Sequence, residues 1–293
     1  MRFAVFVLLS HSLFAQSAPT AETLFEAKLM EQVRDLDAHL DGVLGVCAID
    51  LNTGRSLSYH GETVFAQASS IKIPILIELF HQARAGKFHL TDPITLEPRE
   101  AVGGSGELQR FMRTRSMTLT IEELTKWMIQ SSDNTATNKL IALVGMQNVN
   151  AGLERFGLHS TRLQRVMLDT AAAEKGQENV SSPKEMAQLM ELIYRGKAGD
   201  QDDTKRMLEI LSLPDADFRK SVPANTRVAA KPGWVPGVHT ETGIIFVPNR
   251  PFILSVAAAF LDSANPVPEI AKLFYNHYAR LAKSNAYGNG SVR

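Results

Sequence analysis

Between residues 24 and 40, Leu24, Phe25, Leu29, Val33, Leu36 and Leu40 recur near helical spacing with charged residues between them. This predicts an amphipathic helix ended by Gly42. The period then shortens. "VLGVCAID" and the run after it flank Asn52-Thr53-Gly54, which predicts a β-hairpin. From about Ser69 to Leu213 helical patterns dominate, joined by polar loops. "SSPKEMAQLMELI" has the clearest start, with Ser182 as N-cap, Pro183 at the first position and Glu185 closing a capping box. Strand patterns return in "TRVAAKPG", "HTETGIIFVP" and "PFILSVAAAF", and a last helix is expected from about Pro268 to Ala282.

This order predicts an α/β fold, an α+β sandwich. An antiparallel sheet of about five strands is built from both chain ends and flanked by helices, with an all-helical lobe inserted. The expected organisation is a signal segment over 1–17, a sheet lobe from 20–62 and 214–284, a helical lobe over 63–213, and a disordered tail over 285–293. A cleft between two such lobes is a common ligand site. No internal repeat is visible.

Composition narrows the function classes. The chain has 293 residues, 44% of them hydrophobic, enough for a sizeable core. Lys plus Arg and Asp plus Glu both number 31 and no long basic stretch occurs, which argues against nucleic acid as a partner. "MRFAVFVLLSHSLFAQSAPT" reads as a secretory signal: Arg2, an apolar run from Phe3 to Phe14, then the small residues Ala15, Ser17 and Ala18. An N-terminal anchor helix is the alternative, but the run is short for a span of ~20 residues. We therefore expect a periplasmic or secreted monomer with no membrane span in the mature chain. The single cysteine, Cys47, excludes an intramolecular disulfide and lies in a strand-like run, where a buried thiol is the expectation.

Three short motifs carry candidate chemistry. In "FAQASSIKIPILIELF", Ser69 and Lys72 stand three apart on a predicted helix and share a face. Burial would lower the lysine pKa and make the amine a general base for the serine. Free N–H groups at the helix start could hold an oxyanion. Pro74 requires the helix to begin close to Ser69. The other reading is a snorkelling lysine on a core helix. In "SSDNTATN", Ser132 and Asn134 can face one cleft while Asp133 points away and fixes the loop; equally, the segment could only end one helix and cap the next. In "AAKPG", Lys231 brings positive potential to a strand end and Gly233 lets backbone approach a ligand, or the segment is a plain turn. No metal-ligand spacing is present and no cofactor is expected.

Taken in order, the three motifs resemble the signature of class A β-lactamases and penicillin-binding proteins. The likeness runs from about residue 24 to 282 and includes "VGGSGELQRF", "LTIEELTKWMIQSSDNTATNKLIALVG" and "GLHSTRLQR". The resemblance implies that Ser69 is the acylated nucleophile, Lys72 its base and Ser132 the proton shuttle. It further implies that Asn134 binds the substrate amide and Lys231 supports Ser132 and attracts a carboxylate. Gly233 and Trp234 border the substrate, and the N–H groups of Ser69 and Trp234 form the oxyanion hole. "VGGSG", Val102 to Gly106, is expected at the cleft rim.

The chain also departs from the family. Class A enzymes carry a glutamate two residues after an arginine in the Ω-loop; after Arg165 that place holds Met167. Asp169 and Glu174 are the candidate substitutes for activating water, and Glu178 is expected to pair with Arg165. Pro232 replaces the usual hydroxyl residue, and no arginine occurs in "WVPGVHTETG", where His239 is the candidate for part of its role. The expected activity is opening of a β-lactam amide through an acyl-serine, with slow deacylation. The alternatives are a peptidoglycan D,D-peptidase or related serine amidase or esterase, and a β-lactam-binding sensor that stays acylated.

Overall fold

The computed structural model describes residues 18–290, so the signal segment expected over 1–17 lies outside the described residues. Helix α1 (Ala21–Ala38) leads into the hairpin β1 (Val43–Asp50) and β2 (Ser56–Tyr59), then the short β3 (Phe65–Ala66). A 3-10 turn (Ala68–Ile71) runs into α2 (Lys72–Arg84). β4 (Pro93–Leu96), α3 (Leu108–Phe111), β5 (Met117–Thr120), α4 (Ile121–Gln130), α5 (Asn134–Val144) and α6 (Met146–Arg155) follow. Then come α7 (Thr170–Glu174), β6 (Val180–Ser181), α8 (Pro183–Tyr194), α9 (Gln201–Leu211) and α10 (Asp217–Lys220). The chain closes with β7 (Arg227–Val235), β8 (Val238–Phe246), β9 (Phe252–Ala259) and α11 (Val267–Leu281).

The main sheet has five antiparallel strands in the order β2-β1-β9-β8-β7, drawn from both chain ends as the pattern predicts. Alternation along the strands splits the core in two. Val46, Ala48, Leu254, Val256 and Ile245 face α1 and α11; Cys47, Ile49, Ile253, Ile244 and Ala229 face the helical lobe. Cys47 is fully buried, as expected of a strand thiol. α2 is enclosed by the lobe, and Lys72 to Phe80 are all buried. That is why its sequence is apolar all round.

Four details differ from the pattern reading. β4 pairs with β5 and β3 with β6, two-stranded ladders too short to show in the pattern. Glu185 closes no capping box: Ser182 Oγ accepts its N–H, but its carboxylate turns to Ser160 N and Thr161 Oγ1 at 2.6–3.0 Å. Lys231 lies within β7, not at its end, and Pro232 is accommodated because β7 is an edge strand. Residues 285–290, expected to be disordered, form a turn. Asn285 Oδ1 accepts from Tyr287 N and Asn289 N, and Ala286 O accepts from Glu22 N at the start of α1.

Candidate active site

Ser69 sits on the 3-10 turn that opens α2, so Pro74 falls in the first turn of the helix as required. Ala68 before it is held at φ 45°, a left-handed conformation that costs an alanine energy. The surroundings impose it through Gln67, which is buried. Gln67 N donates to Asn179 O at 2.9 Å, its Nε2 to Ser181 O at 3.1 Å, and its O accepts Ser70 N and Thr240 Oγ1, both at 2.9 Å. Ser70 is committed to the scaffold: its hydroxyl donates to Lys231 O at 3.0 Å and meets Thr240 Oγ1 at 2.9 Å. Among the described residues neither the hydroxyl nor the N–H of Ser69 has a partner. Gly233 allows β7 to come this close. A Cβ there would stand 2.5 Å from Thr240 Oγ1, 2.7 Å from Gln67 O and 2.8 Å from Ser69 N.

Lys72 is fully buried. Its Nζ donates to Ser132 O at 2.7 Å, Ser132 Oγ at 3.0 Å and Asn134 Oδ1 at 3.2 Å. No hydrogen bond joins Nζ to Ser69 Oγ among the described residues; the amine is engaged by the second motif instead. Burial, and next the charge of Lys231, hold the Lys72 pKa well below the ordinary lysine value.

The second motif links α4 to α5; Asp133 serves as the cap, Ser132 lines the cleft, and buried Asn134 is not part of the cleft lining. Asp133 caps α5, its Oδ1 accepting Ala136 N at 2.9 Å, while its Oδ2 accepts Leu108 N at 2.9 Å. The rim loop is strapped to it: Asn134 N donates to Ser105 O at 3.1 Å and Asn134 Nδ2 to Gly103 O at 2.9 Å. A Cβ on Gly106 would stand 2.1 Å from Asp133 Oδ2. Ser132, at φ 57°, is turned between the lysines, and Lys231 Nζ donates to its hydroxyl at 3.1 Å. Two amines thus occupy both lone pairs of the Ser132 oxygen, which leaves its proton to point elsewhere. Asn134 is buried, with its oxygen on Lys72 and its nitrogen on Gly103, so only one N–H and one lone pair remain for a substrate amide.

Lys231 is also fully buried; its Nζ reaches Pro232 O at 2.9 Å, and desolvation lowers its pKa to about 7, partly opposed by the charge of Glu241. A cleft of about 330 Å³ opens over this group, lined by Ser69, Ser132, Lys231, Gly233, Trp234 and His239 among others. Trp234 is 62% exposed, and the His239 ring lies 6.3 Å from it, centroid to centroid. Burial lowers the His239 pKa, so the ring is neutral at pH 7.

The Ω-loop acids are placed elsewhere. Asp169 caps α7, accepting Ala172 N at 3.0 Å, and Glu174 is exposed at the end of that helix; neither lines the cleft. Asp169 is taken by the α7 N–H groups because a short helix needs its first donors satisfied. Glu178 pairs with Arg165 at 2.7 and 2.9 Å, as expected. Met167 is buried in the core of the helical lobe. Among the described residues, no cluster of three or more His, Cys, Asp or Glu side chains could hold a metal. Sequence reasoning missed Gln67, Asp217 and Glu241, of which only Gln67, a polar residue between Ala66 and Ala68, carried even a weak signal; Ser105 lies in the segment expected at the cleft rim.

Comparison with known proteins agrees with this geometry. The β-lactamase enzyme family model matches residues 28–278. β-Lactamase ROB-1 of Haemophilus influenzae is 26% identical over 247 residues, 82% of this chain and 79% of the relative. β-Lactamase SME-1 of Serratia marcescens is 26% identical over 235 residues, 77% of this chain and 79% of the relative. The crystal structure of a β-lactamase from Sphaerobacter thermophilus superposes with TM-score 0.78 at 27% identity, covering 87% of this chain and 97% of that one. An ancestral class A β-lactamase superposes with TM-score 0.78 at 25% identity, covering 85% and 99%.

Proposed function

The chain belongs to the β-lactamase enzyme family, and from that premise we propose that it is a serine hydrolase that opens the β-lactam amide through an acyl-enzyme on Ser69. The observation that carries this reading is the Ser132 hydroxyl held between Lys72 Nζ at 3.0 Å and Lys231 Nζ at 3.1 Å, beside an unengaged Ser69.

The geometry supports a definite proton route. Lys72, whose pKa burial holds well below the ordinary lysine value, takes the Ser69 proton directly or through Ser132 as Oγ attacks the carbonyl. The free N–H of Ser69 and that of Trp234 hold the oxyanion. Ser132 then gives its outward proton to the leaving nitrogen, Lys72 returns the proton it took to the Ser132 oxygen 3.0 Å away, and Lys231 stabilises that oxygen during the exchange. Gly233 keeps the two oxyanion donors close, and His239 and Trp234 wall the cleft. The N-terminal pattern supports export to the periplasm or the medium, and no helix among the described residues is long and apolar enough to cross a membrane.

A second reading, an enzyme that acylates and releases slowly, is favoured by Met167 and by Asp169 and Glu174 not being among the residues that line the cleft. One experiment tests both. Purified protein is mixed with a reporter cephalosporin, and intact mass is recorded after penicillin exposure. The proposal requires turnover or an adduct on the peptide containing Ser69, and the absence of both would refute it.

A further inference from the structure

The charge of the cleft is set by four titratable side chains that line it: Lys231, His239, Asp215 and Asp217. Neither positive candidate is a strong anion site. His239 is neutral at pH 7, and Lys231, with a pKa near 7, carries only part of its charge and already spends two donors on Ser132 and Pro232. No arginine lines the cleft. Arg219, on the neighbouring turn, is consumed by backbone oxygens: Nη2 donates to Ser212 O at 2.6 Å and Val228 O at 3.0 Å, and Nε to Pro214 O at 3.3 Å.

Two aspartates also line the cleft. Asp215 meets Lys220 Nζ at 2.9 Å, but both are exposed and such a pair is weak. Asp217 has no cationic partner among the described residues. Its Oδ2 accepts Asn265 Nδ2 at 2.8 Å, and its Oδ1 has no partner among the described residues. Nor can this part of the lining swing away freely. Buried Glu241 accepts the N–H groups of Asp217 and Phe218, both at 3.0 Å, and pins the segment to β8.

On these charges, and resting on the acyl-transfer reading above, we propose that Asp217 makes the cleft select acyl donors with an ammonium or uncharged group at the Asp217–His239 wall. Donors with a carboxylate there are disfavoured. A carboxylate would enter between two aspartates and a partly neutral amine; an ammonium would find the unoccupied Asp217 Oδ1.

The test uses three phenylacetylglycyl depsipeptides that differ only in the substituent carried by the departing phenol: carboxylate, primary amide and aminomethyl. Acylation efficiency is read by release of the leaving group, and the adduct by intact mass. At low ionic strength the aminomethyl donor should exceed the carboxylate by at least ~10-fold, and the ratio should shrink at 0.5 M salt as the charges are screened. Asp217→Asn should cut the ratio by roughly three- to tenfold. A parent enzyme that prefers the carboxylate, or a ratio that ignores both salt and Asp217→Asn, overturns the proposal while leaving acyl transfer intact. The salt series needs no variant, so a poorly folding Asp217→Asn does not shield the idea. If neither these donors nor a penicillin leaves an adduct on Ser69, acyl transfer itself has failed and the selectivity falls with it.

Discussion

Asn138 clamps the main chain of Met167 from both sides: its Oδ1 accepts Met167 N at 2.7 Å and its Nδ2 donates to Met167 O at 3.1 Å. The backbone of the Ω-loop is therefore fixed at the place where the class A pattern calls for a glutamate, and the side chain at this place is an apolar one buried in the helical lobe. Burst kinetics are expected on a reporter β-lactam, one fast equivalent and then a slow steady state. Because the clamp holds main chain only, Met167→Glu should keep the loop and speed the slow phase by at least ~10-fold, about 1.4 kcal/mol of barrier. Burying the carboxylate should cost stability, by more than burial of a neutral polar group does. Stopped-flow traces of parent and variant decide the matter. An unchanged steady rate in a folded Met167→Glu enzyme would exclude this position from deacylation.

Ser69 and Ser70 are adjacent but do opposite work. Ser69→Ala should abolish the penicillin adduct and change stability by no more than about 0.5 kcal/mol, since its hydroxyl has no partner to lose. Ser70→Ala removes contacts to Lys231 O and Thr240 Oγ1 that tie α2 to β7. Its expected loss is about 1–2 kcal/mol, with the adduct retained. Mass spectrometry with denaturant titration separates the two. An adduct that survives Ser69→Ala and disappears in Ser70→Ala would reverse the assignment.

Lys72 should show itself in pH profiles. Its folded pKa lies well below the ordinary lysine value, so between those two values the unfolded chain binds the proton and the folded one does not. Stability contributed by this group therefore rises with pH across that window. Lys72→Met should gain on the parent at pH 6 and lose that gain toward pH 10, while acylation falls by ~10²–10⁴. A stability difference that stays constant from pH 6 to 10 would mean that Lys72 is not the buried titrating amine.

How much of this could be read from the chain follows from how far apart the interacting residues lie. Ser69 and Lys72, or Ser132 and Asn134, sit within one turn of each other, so chain geometry alone places them. The five-stranded sheet was legible because its strands are long and their apolar positions alternate. The link between Lys72 and Ser132 was not, because it crosses 60 residues and depends on the left-handed turn at Ser132. Glu241 was read only as part of a strand. Its burial depends on α10, an element of four residues with no periodic signal. Asp169 was weighed as a base because it is an acid near Met167, yet α7 claims it as a cap. Local sequence cannot decide between those two uses of one carboxylate.

His277 supplies the last prediction, far from the cleft. It is buried on α11 and stacked on Phe25 of α1 with ring centroids 4.5 Å apart, and neither ring nitrogen has a hydrogen-bond partner. Burial first, and the Arg250 charge next, push its pKa down to about 4 from the ordinary 6.5. From pH 6.5 to 4 the unfolded chain takes up a proton that the folded chain refuses, so stability is lost as pH falls through this window. His277→Phe keeps the stacked ring and deletes both orphan nitrogens. It should stabilise the protein by about 1 kcal/mol at pH 7.5 and by roughly 2 kcal/mol more at pH 4.5. Urea unfolding of parent and variant across this range measures the effect. Parallel curves would show that acid sensitivity originates at another group, whereas a gap of about 1 kcal/mol at neutral pH that widens below pH 6 would locate it at the α1–α11 contact.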